Sequence, residues 1–134
     1  MMNNPGSHVL FAGAIGAALA AQAQTAITDL EGMLGVTLVA QLLGGTAGTS
    51  IVALVQTSID GGATWFDVAR FDFANTAGVK YANLSGTVSK AITAYAALAA
   101  EGVNDGLVGD QFRAVITSVG TYTNTTLSVR IEAR

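Results

Sequence analysis

The sequence predicts an all-β protein: an antiparallel β-sandwich or jelly roll of about seven to nine strands, with an apolar N-terminal arm. Three observations predict it. Segments from Val36 onward alternate apolar and polar residues with a period of two. Turn-forming residues interrupt them at intervals of about 8–15 residues. Gly and Thr are frequent, at 16 and 15 residues, while Pro occurs once. At 134 residues the chain has room for one small core and too little for a propeller or a TIM barrel.

Taken in order, the first element is the least regular. Val9–Ala23 (VLFAGAIGAALAAQA) is apolar apart from Gln22, and no Asp, Glu, Lys or Arg precedes Asp29. The run has several readings. Ala21-Gln22-Ala23 fits a signal-peptidase pattern, but no cation precedes the apolar run. A membrane helix needs about 20 residues without the breaks at Gly13 and Gly16. A core helix is a further option. The preferred reading is an arm or first strand region, with the arm packing on a neighbouring subunit. The chain therefore divides into an arm over residues 1–26 and a sandwich domain over 27–134.

Ala26–Leu30 is a weak strand candidate. Val36–Leu42 places Val36, Leu38, Ala40 and Leu42 on one face, and residues 44–49 (GGTAGT) form a turn-rich break. Ile51–Ser58 and Trp65–Phe73 are strands joined by a tight turn. Val79–Leu84 and Thr87–Ile92 are weaker candidates. Ala94–Glu101 (AYAALAAE) is either a strand or a single helical turn, since its residues favour helix but Gly102 ends it. Asn104-Asp105-Gly106 is a turn. Gln111–Thr117 alternates, a turn follows at Thr121–Thr126, and Leu127–Arg134 is the cleanest strand. There Leu127, Val129, Ile131 and Ala133 face in.

Composition narrows the chemistry. Charged residues make up 11% of the chain, against about 25% in an average soluble domain. Six cations against nine anions argue against nucleic-acid binding. The absence of Cys excludes disulfides and thiolate metal sites. The single His, His8, lies in the N-terminal tail. Asp67 and Asp72 are separated by an odd number of positions, so an unbroken strand points them to opposite faces, away from paired glycosidase chemistry. Asn104-Asp105-Gly106 has too few oxygen ligands for Ca²⁺. The chain is expected to be no enzyme and to hold no cofactor or metal. An apolar, thinly charged surface is instead expected to be covered by other subunits.

One motif stands out. Ser58, Asp60, Gly62, Thr64 and Trp65 fit S-x-D-x-G-x-T-W, the Asp-box pattern of sialidases and other β proteins. Asp60 can accept backbone N–H bonds to close an Asx-type turn. Gly61 and Gly62 provide the positive φ of a tight hairpin, and Trp65 covers it. The box is expected to be structural.

Ala53–Phe73 and Val108–Arg134 together resemble small tailed-bacteriophage virion proteins. The shared style is a strand, an S-x-D-G-G-x-T-W hairpin, a "DV" strand, then Gly109-Asp110 with Arg113 and a Gly/Thr-rich hairpin. The resemblance implies a β-sandwich structural protein of a phage particle, assembled in the host cytoplasm. The leading expectation is a capsid decoration (cement) protein, trimeric, that binds the major capsid protein or other virion proteins and neither nucleic acid nor membrane. Its expected contact residues are Val9, Leu10, Phe11 and Ile15, so deleting residues 1–20 should abolish particle binding and leave a folded sandwich. Alternatives are a neck or tail component and a surface glycan-binding module using Trp65 and Tyr122.

Overall fold

A computed structural model describes residues 4–44 and 47–134. Residues 1–3 of the expected arm, and Gly45 and Thr46 of the expected turn, lie outside the described residues. Among the described residues nine strands form: β1 (Gly6–Ala14), β2 (Leu19–Ala23), β3 (Gly35–Leu43), β4 (Ser50–Ser58), β5 (Phe66–Phe73), β6 (Gly78–Ser85), β7 (Gly102–Val103), β8 (Gln111–Val119) and β9 (Thr126–Ala133). They build two antiparallel sheets, ordered β1-β9-β3-β6 and β2-β8-β4-β5-β7. The two sheets face each other across one core, as the sequence predicts for a sandwich.

The alternating strands explain that core. In β3, Val36, Leu38, Ala40 and Leu42 are buried; in β9, Leu127, Val129, Ile131 and Ala133 are buried. Ile51, Ala53 and Val55 of β4 and Phe112, Ala114 and Ile116 of β8 meet them from the other sheet. Burying such side chains contributes about 1.5–3 kcal/mol each.

The N-terminal segment corrects the division into arm and sandwich. β1 runs antiparallel to β9 along its whole length, from Gly6 beside Ala133 to Ala14 beside Thr126. β2 pairs with β8. The chain then follows β8 further, with Gln24 N–H donating to Ala114 O, Ile27 bridging Phe112 and Leu30 N–H donating to Asp110 O. Residues 6–23 thus supply one edge strand to each sheet of their own sandwich. The physical reason is that an apolar segment in water is stabilised by the nearest unpaired sheet edges, and β8 and β9 present two.

Three weak candidates are not strands. Ala26–Leu30 makes only the isolated bridge, and Thr87–Ile92 and Ala94–Glu101 belong to the long β6–β7 loop. Within residues 94–101 there is no helical turn. β7 is only two residues long and was not anticipated.

Candidate contact surface

The Asp-box hairpin joins β4 to β5. Asp60 Oδ1 accepts from Ser58 Oγ at 2.8 Å and from Thr64 N–H at 2.8 Å, and Ser58 Oγ accepts from Gly62 N–H at 2.8 Å. The Thr64 N–H, then the Ser58 hydroxyl, hold the Asp60 carboxyl below the ordinary carboxylate range. Gly61 and Gly62 have φ of 73° and 97°, the left-handed region that favours Gly. The Ser58 hydroxyl and Asp60 Oδ1 are thus spent on bonds within the turn. Trp65 carries the Arg113 guanidinium over its ring, 4.2 Å from the centroid.

From Arg113 a chain of polar contacts crosses the outer face of the second sheet. Arg113 Nε donates to Gln56 Oε1 at 2.9 Å, and Gln56 Nε2 donates to Asp67 Oδ1 at 2.9 Å. Asp67, only 6% exposed, accepts Leu98 N–H on its other oxygen at 3.0 Å. Its backbone N–H donates to the Tyr95 hydroxyl, and its carbonyl accepts from Asn104 Nδ2. Asp67 therefore holds the β6–β7 loop onto β5.

The facing rule for Asp67 and Asp72 needs correction. Gln56 pairs with Asp67 while Val55 pairs with Ala69, so Val68 is an extra residue on β5. This bulge shifts the period by one, so Asp67 joins Arg70 and Asp72 on the outer face. The two acids still form no dyad. Asp67 is bonded as above, and Asp72 is ion-paired to Arg70 at 2.8 Å.

The expected contact residues separate. Leu10 and Ile15 are 3% and 2% exposed, packed in the chain's own core. Phe11 is partly buried against that core, and only Val9 is substantially exposed, at 41%. Leu10 sits at a register shift between Val9 and Phe11, which turns it inward beside Phe11. Leu10 and Ile15 are thus unavailable to a neighbour while the sandwich is closed. Tyr122 is buried too, with its hydroxyl donating to Ala74 O at 2.7 Å, so it cannot stack on a glycan from the surface. His8 Nε2 donates to the carbonyl oxygen of Asn4 at 2.9 Å, a local contact.

A different surface emerges on the opposite side, where β6 and β7 form the sheet edges. Eleven large hydrophobic side chains are exposed among the described residues, and six of them lie on β6, β7 or the loop that joins them: Val79, Tyr81, Val88, Ile92, Tyr95 and Val103. The other five are dispersed over turns, strand ends and the outer face of β1. A groove of about 420 Å³ runs between the sheets, lined by Val79, Tyr81, Val103 and the stem of Lys80 among others. A second, of about 290 Å³, lies under the loop against Phe66 and Tyr95. Val103 lines both.

The charges on this side cancel. Lys80 reaches from β6 across the groove to Glu101 Oε2 at 2.7 Å and to Asp72 O at 2.6 Å. Glu101 Oε2 also accepts Asp72 N–H. The Lys80 ammonium, then the Asp72 N–H, lower the Glu101 pKa. The result is an apolar surface with little net charge, of the kind that marks protein contact sites. Sequence reasoning missed it because nothing in the residues of β6 reveals that the strand lies at an edge. Comparison of the chain with family models, with curated proteins and with solved structures finds no match to any of them.

Proposed function

We propose that the chain is a bacteriophage virion structural protein, in first place a capsid decoration protein that binds the major capsid protein or a neighbouring virion subunit. It acts by adhesion, as a homo-oligomer located on the particle, and not by catalysis. One observation carries the mechanical part of this reading: six exposed large hydrophobic residues on the β6–β7 side, beside charges that neutralise one another. Such a surface fits a partner held by shape and apolar area. The likeness of Ala53–Phe73 and Val108–Arg134 to tailed-phage proteins supports the virion setting.

In this reading the contact surface is Val79, Tyr81, Val103 and the loop, in place of the arm contacts expected at Val9, Leu10, Phe11 and Ile15. The test is cosedimentation of the purified protein with phage heads that lack it, followed by counting copies per particle. Hundreds of copies support decoration, and about 6–12 support a neck or tail ring, as ring symmetry dictates. Absence from heads, necks and tails alike overturns the reading.

A further inference from the structure

We propose that a second copy of this chain adds to the β6 edge by two-fold symmetry, joining two four-stranded sheets into one of eight strands. The inference rests on the adhesive reading above and names the partner of that surface.

The four sheet edges differ. β1 is interrupted by the register shift at Leu10. β2 is broken between Leu19 and Gln22, with Ala21 at φ 43°. β7 is two residues long, and the β6–β7 loop covers β5 on either side of it through Tyr95, Leu98 and Glu101. β6 pairs with β3 in unbroken register from Gly78 to Ser85 and has no strand on its other side. Among the described residues it is the one long, regular edge without a bulge. Such an edge presents backbone donors and acceptors to another strand over Gly78–Leu84; at its end the Ser85 N–H is held by Asp105 Oδ1 at 2.8 Å. Lys80, an inward-pointing charge of the kind that blunts edges, is here already satisfied by Glu101 and Asp72 O.

Charge and side-chain facing select the register. Pairing must keep outer-face residues opposite outer-face residues, because a slip of one reverses every side chain. Placing Lys80 opposite Lys80 of the second copy sets like charges together. Placing Tyr81 opposite Tyr81 of the second copy avoids this and pairs Gly78–Leu84 throughout. It sets Lys80 opposite Ala82 and Val79 opposite Asn83. The 78%-exposed Tyr81 ring then meets its own mate, a favourable aromatic cross-strand pair. This contact is a dimer contact, in place of the trimer expected from the sequence.

The test uses the full chain, which has no Cys. Directly opposed residues of an antiparallel pair lie about 4.5–5.5 Å apart at Cα, within disulfide reach. Tyr81→Cys is therefore expected to form a disulfide dimer under mild oxidation, while Val9→Cys forms no disulfide-linked dimer. In sedimentation, wild type at roughly 100 µM is expected to be dimeric, as an interface of ordinary size allows. Tyr81→Glu and Tyr81→Lys are each expected to weaken association at least about tenfold, and mixing the two to restore it. A monomeric wild type, an unaffected Tyr81→Glu, equal cross-linking of both Cys variants, or no restoration on mixing overturns the proposal. Protein that is monomeric yet binds heads removes this inference and keeps the adhesive reading. Protein that dimerises but joins no particle does the reverse.

Discussion

Truncating Leu10 to Ala separates an integral strand from a detachable arm. Leu10 is 3% exposed and belongs to the main core. The substitution removes three carbons, worth about 2.4 kcal/mol at about 0.8 kcal/mol per buried carbon. β1 is an edge strand, so its surroundings relax partly and the cavity term is modest. A loss of about 2.5–3.5 kcal/mol follows, inside the usual Leu→Ala range. In urea, with a slope of about 1.5 kcal/mol per molar, the midpoint falls by roughly 2 M. Val9→Ala on the same strand removes a side chain that is 41% exposed and is expected to cost under about 1 kcal/mol. Equal, small losses for both variants would refute the placement of β1. So would a Leu10→Ala loss that depends on protein concentration, because that is the mark of a segment docked on another copy.

Further outcomes follow from the polar contacts. Asp67→Ala leaves Gln56 Nε2 and the Leu98 N–H without acceptors and is expected to cost about 1–3 kcal/mol. Trypsin cleavage after the exposed Lys90 should accelerate while the rest of the sandwich stays resistant. Gly109→Ala places a Cβ 2.1 Å from Ser58 O and 2.6 Å from Thr57 Oγ1; both β4 and the β8 entry must shift, at a cost of about 2 kcal/mol or more in thermal or urea unfolding. The Asp60 carboxyl has a lowered pKa in the folded state. Its contribution to stability is present above the unfolded value of about 4 and is lost as pH falls through the lower folded value. An NMR titration should find its midpoint below the ordinary Asp value, and Ser58→Ala should raise it back toward that value.

The parts of the fold that were legible in the residues are those where one face is buried and the other is wet. β3, β8 and β9 alternate cleanly because Thr37, Arg113, Arg130 and Glu132 mark the outer face against an aliphatic inner one. β1 and β2 were hard to place because the small residues Gly6, Ala12, Gly13, Ala14, Ala20, Ala21 and Ala23 mark no polar face, so no period shows, and register shifts break what period there is. Thr87–Ile92 misled in the opposite way: Val88 and Ile92 alternate with polar residues but stand in a loop, 72% and 106% exposed, with no strand to pair against. The extra residue Val68 likewise reversed the facing of Asp67, which no spacing rule reveals without the partner strand. The Asp box was legible in full because its bonds are local, between residues two to four apart. The contact surface was not, since it depends on which strands end up at the edges.

The claim that the β6–β7 side is the adhesive surface is tested most directly by hydrogen exchange of the protein, first free at a dilution where it is monomeric and then bound to its particle. The account predicts new protection of backbone amides in Gly78–Ser85 and around Gly102–Val103, with Gly6–Ala14 equally protected in both states. Protection gained at Gly6–Ala14 and none along β6 would contradict it.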